Sequence, residues 1–179
     1  MHNPWTTLGS DEKYNNPWIR VVEHQVLKPS GRPGIYGTIH FKNLAIGILP
    51  IAENGDTWLV GQWRYPLNAY SWEIPEGGGD PKLTPLESAK RELKEETGLI
   101  ARHWEPLMEM DLSNSSTDER SYSFIARDLE EGTAEPEEEE ELVIRRLPFT
   151  DVLAMVLKGE IRDALSVATV LRASRVLGV

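Results

Sequence analysis

Glu92, Glu95 and Glu96 stand at i, i+3 and i+4 in the run Arg91-Glu92-Leu93-Lys94-Glu95-Glu96, a spacing that gathers three carboxylates on one arc of an α-helix. On a bare helix such like charges repel by a few tenths of a kcal/mol per pair, roughly the size of an i,i+4 ion pair with its sign reversed. A divalent cation with its preference for oxygen ligands would relieve them. Arg91 lies four residues before Glu95 and can pair with it, fixing one acid. Alone, such a run reads as a solvated helix face. Gly77-Gly78-Gly79 upstream changes that reading, because glycine lets main-chain oxygens approach the helix start. A cation held by carboxylates can in turn meet phosphate, so an acidic site can serve an anionic substrate.

Other residues could bind. Arg64, in Gln62-Trp63-Arg64-Tyr65-Pro66, carries a fork of donors suited to phosphate or sugar oxygens. Glu73, in Trp72-Glu73-Ile74-Pro75-Glu76-Gly77, can accept from ribose hydroxyls or base nitrogens; the plainer reading of the two is a salt bridge between neighbouring strands. Trp18 or Tyr14 could stack on a base, although aromatic rings in strands more often pack. Glu137 to Glu141 is a charge run of the kind that ordinarily forms a solvated loop.

The elements that must position these groups follow from pattern and punctuation. Thr84-Pro85-Leu86-Glu87 combines an N-cap threonine, a proline at the first helical position and a glutamate three residues past the cap, so a helix starts there and Gly98 ends it. Leu86, Ala89 and Leu93 form its apolar stripe, with the carboxylates on the adjoining arc. Residues 1–17, rich in Asn, Pro and Ser, suggest an irregular arm. Strands are expected at Trp18 to Lys28, Ile35 to Phe41, Leu44 to Ile51 and Thr57 to Trp63, the last two joined by a tight turn at Asn54-Gly55-Asp56. Met108 to Leu112, Ser121 to Arg127 and Leu142 to Leu147 are further strand candidates, and helices at Thr150 to Lys158 and Ser166 to Leu177 close the chain.

Composition limits the partners. A net charge of −10 argues against a general nucleic-acid or anionic-membrane surface, which needs exposed Lys and Arg. With no cysteine there are no disulfides and no thiolate metal sites. Residues 1–10 lack the apolar core of a signal peptide, and Leu44 to Ala52 is too short to span a bilayer, so a soluble, cytoplasmic protein is expected. At 179 residues with 40% hydrophobic content, one compact domain with an appended element suits the chain.

Gly77, Arg91, Glu92, Leu93, Glu95, Glu96, Gly98 and Leu99 together resemble the signature of the Nudix family, G-x5-E-x7-R-E-U-x-E-E-x-G-U with U aliphatic. Eight of its nine defined positions match, and Leu83 stands where the family has Glu. The resemblance implies an α/β fold, an α/β/α sandwich around a mixed sheet at residues 43–179, with residues 1–42 as a β-rich arm for substrate contacts and homodimer exchange. It makes Glu92 and Glu96 the main ligands of Mg²⁺ (or Mn²⁺), places Glu95 close by, offers the Glu76 carbonyl as a backbone ligand and has Arg91 orient the acids. Asp80 or Glu87 could substitute for the absent carboxylate, though a turn role for Asp80 and a capping role for Glu87 are more ordinary.

The segments around Arg64 and Glu73 resemble the QxRxP and E-x-P-A-G stretches of ADP-ribose and related nucleoside diphosphate sugar pyrophosphatases, with Glu76 in place of Ala. Leu112-Ser113-Asn114-Ser115-Ser116-Thr117-Asp118-Glu119-Arg120 resembles their LSPGGTSER loop, with Asn114 in place of Pro, which opens GDP-mannose or broader use beside ADP-ribose. The same resemblance nominates Glu138 and Glu140 as catalytic base and further metal ligand; a slip of one residue would nominate Glu137, Glu139 or Glu141 instead. The implied reaction is metal-dependent cleavage of a nucleoside diphosphate sugar into a nucleoside monophosphate and a sugar phosphate. The rivals are a Nudix hydrolase of nucleoside triphosphates or capped RNA ends and a catalytically silent nucleotide-sugar sensor, which Leu83 favours.

Overall fold

Leu44–Pro50 (β4) carries apolar side chains on both faces, the pattern of a strand buried from two sides. The computed structural model describes residues 2–134 and 141–179 and puts β4 inside a four-stranded mixed sheet. Its neighbours are Glu76–Gly79 (β7), antiparallel, and Arg120–Glu131 (β9), parallel; Leu99–Asp111 (β8) closes the far side against β9. Ile46 and Ile48 of β4 join Phe124 and Ala126 of β9 in one core. Leu49 and Ile125, on the opposite face, belong to a second core.

Each core has its own helical cover. Pro85–Thr97 (α1) buries Ala89 and Leu93 in the first. Phe149–Leu157 (α2) and Ala164–Leu177 (α3) bury Val152, Val156, Val170 and Ala173 in the second. The result is the expected α/β/α sandwich. Helix α1 starts on a complete capping box between Thr84 and Glu87 and ends on Gly98 in the left-handed region at φ 74°, as the punctuation predicted. Glu87 therefore serves as a capping residue. Its hydrogen bonds from Thr84 hold its carboxyl below the ordinary range.

A second sheet pairs Asp56–Arg64 (β5) with Ala69–Glu73 (β6) and Val143–Pro148 (β10). The tight turn at Gly55 exists, with φ 84°, but only a single bridge, Ile51 to Thr57, links its two strands; the turn passes the chain from one sheet to the next. A three-stranded N-terminal sheet contains Thr6–Asn15 (β1), Ile19–Leu27 (β2) and Pro33–Phe41 (β3).

Strand β1 overturns the expectation of an irregular arm over residues 1–17. Its sequence is a poor strand former, but β2 supplies a partner edge, and register shifts at Thr7/Gly9 and Glu12/Tyr14 absorb the misfit. Strand β8 is longer than Met108 to Leu112 indicated, since the pairing runs on through a register shift beside Pro106. Strands β6 and β7 had no periodic signal; β7 is Glu-Gly-Gly-Gly and acquires its conformation from β4. No helix among the described residues is long and apolar enough to cross a membrane.

The capping box makes a measurable contribution. Thr84→Ala should cost about 1 kcal/mol and lower the thermal midpoint by roughly 2–4 °C, whereas Thr84→Asp should hold it near wild type. Equal midpoints for all three proteins would show that the box does not stabilise α1.

Candidate active site

The carboxylate arc of α1 lies against the glycine strand β7. Glu92 and Glu96 are buried despite their charge, at 7% and 3% exposure. Burial of this kind persists only where hydrogen bonds and counter-charges compensate it. Glu96 accepts the backbone N–H of Glu76 at 3.0 Å. Glu92 accepts from Arg91 Nη2 at 2.5 Å, and Glu95 accepts from Nη1 at 2.7 Å. Arg91 Nη2 also donates to the Gly78 carbonyl at 2.8 Å, so one guanidinium ties two acids of α1 to β7.

Gly77 makes this closeness possible. A Cβ at that position would fall 2.2 Å from Glu92 Oε2, well inside contact distance. The strand must therefore be bare where the helix acids meet it. Glu92, Glu95 and Arg91 face a cavity of about 810 Å³ whose other wall includes Trp18 and Leu83. Leu83 presents an apolar side chain to this cavity. Asp80 also lines it, but its Oδ1 caps a local turn by accepting Lys82 N–H at 2.8 Å.

Trp18 also borders a second cavity, of about 440 Å³, together with Gln62, Arg64, Glu76 and Glu119. The turn between β1 and β2 thus places one exposed indole, 65% accessible, on the walls of both cavities, the one lined by the α1 carboxylates and the one lined by Arg64. Tyr14 is exposed and lies on β1, outside both cavities.

Arg64 and Glu73 meet, as the plainer reading of the pair allowed. Nε of Arg64 donates to both oxygens of Glu73 at 3.0 Å, and Nη2 donates to Glu73 at 2.5 Å and to Glu76 at 3.1 Å. Burial alone would lower the Arg64 pKa, but the hydrogen bond and charge of Glu73 outweigh it and hold the guanidinium above its usual value. The fork that could have gripped a phosphate is thus largely committed to strand β6 and to Glu76. Arg64 still lines the cavity, and it also lines a third space, of about 650 Å³, together with Tyr70 and Arg162.

Glu73, Glu76 and Asp163 form an acidic group that sequence spacing did not indicate, with one carboxylate oxygen from each lying within 4.8 Å of the others. Two of the three are already held by Arg64, and Asp163 caps α3 by accepting Ser166 N–H at 2.7 Å. The surplus negative charge is relieved at Glu76. Burial, then repulsion from Asp163 and Glu73, pushes its carboxyl well above the ordinary range. The Glu76 side chain thus faces this group while its backbone faces Glu96.

Glu119 also escaped sequence reading, since it lies in a polar loop without periodic signal. The loop before it is pinned to β3: Ile39 N–H donates to Ser116 O at 2.8 Å, Phe41 N–H donates to Asp118 Oδ1 at 3.0 Å, and His40 Nδ1 lies 2.6 Å from Asp118 Oδ2. Burial opposes ionisation of Asp118, but the hydrogen bonds from His40 and Phe41 prevail and lower its pKa. Glu138 and Glu140, with Glu137 and Glu139, lie outside the described residues; Glu141 is exposed at the start of the approach to β10.

Buried hard-oxygen donors at Glu92 and Glu96, one helical turn apart and beside a strand stripped of side chains, fit a divalent cation of the Mg²⁺ class.

Residues 41–169 match the model of the NUDIX domain, and residues 5–39 match that of the nucleoside diphosphate sugar hydrolase N-terminal domain. The chain is 32% identical to an ADP-ribose pyrophosphatase of Mycobacterium tuberculosis, over 92% of this chain and 81% of that protein. An ADP-ribose pyrophosphatase of Bacillus subtilis is 27% identical over 88% of this chain and 86% of its own length. A crystal structure of an ADP compounds hydrolase superposes with a TM-score of 0.88 at 22% identity, covering 97% of this chain and 94% of that one.

Two outcomes follow from the geometry. Gly77→Ala should displace Glu92 and reduce turnover by at least ten-fold with circular dichroism unchanged; full activity would show that the close approach is dispensable. Asp118 has a depressed folded pKa, so its stabilisation is present above its unfolded value of about 3.9 and is lost as pH falls through the folded value. Asp118→Asn should lower the melting temperature at pH 7, and the gap should close in thermal scans below about pH 4. A gap constant down to pH 3 would contradict this.

Proposed function

The chain belongs to the NUDIX domain family, and from that premise we propose that it hydrolyses the pyrophosphate bond of nucleoside diphosphate sugars. The products are a nucleoside monophosphate and a sugar phosphate. The observation that carries this reading is the placement of Trp18, which lies within the segment matching the nucleoside diphosphate sugar hydrolase N-terminal domain and lines the same cavity as Glu92 and Glu95. An aromatic ring beside a carboxylate cluster suits a ligand with a planar base at one end and a diphosphate nearby. ADP-ribose is the first candidate substrate, supported by the two bacterial relatives. GDP-mannose is the second, supported by Asn114 in the loop that carries Pro in the resembling enzymes.

Glu92 and Glu96 would hold the divalent metal, Mg²⁺ or Mn²⁺, with the Glu76 carbonyl as a backbone ligand and Glu140 as a further one. When bound, the metal offsets diphosphate charge and lowers the pKa of water. The chain's own groups do the rest. Arg91 keeps Glu92 and Glu95 oriented through its two donor nitrogens. Arg64 faces the substrate cavity from its anchor on Glu73 and adds positive potential for the diphosphate. Trp18 stacks on the base. Glu138 or Glu140, on the segment before β10, takes the proton of the attacking water. In the same reading residues 1–42 are a dimerisation and substrate arm, residues 43–179 are the hydrolase domain, and the protein is a cytoplasmic homodimer. The second reading, a silent sensor, is favoured by Leu83 on the cavity wall.

A panel of ADP-ribose, GDP-mannose, UDP-glucose and nucleoside triphosphates, with products identified, tests the proposal. Nucleoside monophosphate and sugar phosphate should appear, activity should vanish on chelation and return with Mg²⁺, and Glu96→Gln should lose roughly 10²–10³-fold in kcat with the fold retained. Pyrophosphate released preferentially from triphosphates, or full activity after exhaustive chelation, would overturn it. Thermal stabilisation by ADP-ribose and Mg²⁺ without turnover would establish the sensor instead.

A further inference from the structure

Trp18 is 65% exposed, and among the described residues its indole makes no ring pair and its Nε1–H meets no acceptor. The ring has no side-chain support of its own. Where it stands is set by the backbone of the turn that carries it, Asn16-Pro17-Trp18 between β1 and β2.

That turn is closed from within by Asn16. Its Oδ1 accepts Trp18 N–H at 2.9 Å and Ile19 N–H at 2.7 Å, while Asn16 N–H donates to Ile19 O at 3.0 Å. An asparagine side chain that accepts from the backbone two residues on stands in for a main-chain turn bond, and Pro17 removes a further torsional freedom.

Lys42 fastens the same turn from outside. Its ammonium donates to Asn15 Oδ1 at 2.7 Å and to Asn16 O, and its backbone N–H donates to Trp18 O at 2.9 Å. Three of the four residues from Asn15 to Trp18 are therefore held by one lysine. Among the described residues no carboxylate pairs with Lys42, so this is no surface ion pair; two of its three ammonium protons go to neutral oxygens of a single turn. A long, mobile side chain loses rotamer freedom in such an arrangement, and what that cost secures is the turn.

The location of Lys42 gives the clamp its consequence. It follows the last β2–β3 pair, Ile19 with Phe41, and two residues later Leu44 begins β4 and pairs with Gly79 of β7. Lys42 also lines the cavity that Trp18 shares with Glu92 and Glu95. The indole is thus tied through a short stretch of chain to the sheet that carries the glycine strand beside the α1 acids.

We infer that Lys42 is a positioning residue for the nucleobase: with Asn16 it holds the β1–β2 turn so that Trp18 is in place before the substrate arrives. The inference rests on the nucleoside diphosphate sugar reading, in which Trp18 stacks on the base. A ring placed in advance costs the ligand less ordering, so the benefit falls on binding rather than on the chemical step. The competing role for Lys42 is direct contact between its third ammonium proton and a substrate phosphate.

A two-by-two cycle in the full chain separates these roles, with wild type, Lys42→Met, Trp18→Ala and the double variant read as KM and kcat for ADP-ribose and as the dissociation constant of AMP, which needs no turnover. Trp18→Ala should weaken AMP by about ten- to a hundred-fold, the effect of losing one base–aromatic stack. Lys42→Met keeps the apolar stem and removes the donors; it should weaken AMP and raise KM by about three- to ten-fold with kcat within about two-fold. In the Trp18→Ala background the same substitution should change either constant by less than about two-fold. Asn16→Ala, which removes no charge, should reproduce the Lys42→Met pattern, and Lys42→Arg should recover most of the loss. Unchanged constants in Lys42→Met would overturn the inference, as would penalties that multiply in the double variant, because Lys42 would then act on the ligand without Trp18. If the wild type binds AMP but cleaves no nucleoside diphosphate sugar, the hydrolase reading fails instead, and the AMP cycle still decides the role of Lys42. A melting temperature near wild type shows that each variant is folded, and Lys42→Gln repeats the comparison where Lys42→Met is not.

Discussion

The site depends on the contact between α1 and β7. A helix bearing three acids on one arc would normally turn them to water, and here two are buried against a strand. Three features make that possible together. Gly77 leaves room for Glu92, the Glu76 N–H satisfies Glu96, and Arg91 joins Glu92, Glu95 and the Gly78 carbonyl. Each is a short-range contact. The capping box at Thr84 sets where the helix begins, so it also sets which residues face the strand. Ala89 and Leu93 then fix the rotation by burying the opposite edge of the same face in the core.

Glu76 divides the two acidic groups. Its main chain serves Glu96 on one side, and its carboxyl joins Arg64, Glu73 and Asp163 on the other. Helix α3 stabilises this arrangement at its N-terminus, where Ser166 Oγ accepts the Ile74 N–H at 3.0 Å and Asp163 caps the first turn. Two negative clusters so close together would oppose one another. The second is restrained by Arg64 and by the tendency of partly buried Glu76 to hold its proton. What remains for ligands is the α1 cluster, flanked by Trp18 and Leu83.

Much of this was legible in the residues because its signals are local. The cap, the proline and the terminal glycine of α1 act over a few positions, and the carboxylate spacing translates directly into a helix face. The continuous apolar run of β4 likewise indicated a strand. Strands β1, β6 and β7 were hidden, since their sequences carry little intrinsic preference and obtain their conformation from partners. The Arg64–Glu73 pair was foreseen as one of two readings. Glu119 and Asp163 were not, because a cavity wall assembled from a loop and a helix cap has no period. The run Glu137 to Glu140 lies outside the described residues, so its nominated base stays a matter of resemblance.

The proposed cation site on α1 and the Glu73, Glu76 and Asp163 group are separated by a direct binding measurement. Titration of Mn²⁺ into the full chain, followed by the free-ion paramagnetic resonance signal, should give a site that weakens at least ten-fold in Glu92→Gln and in Glu96→Gln and is retained in Asp163→Asn. A site that survives both α1 substitutions and disappears in Asp163→Asn would contradict the account.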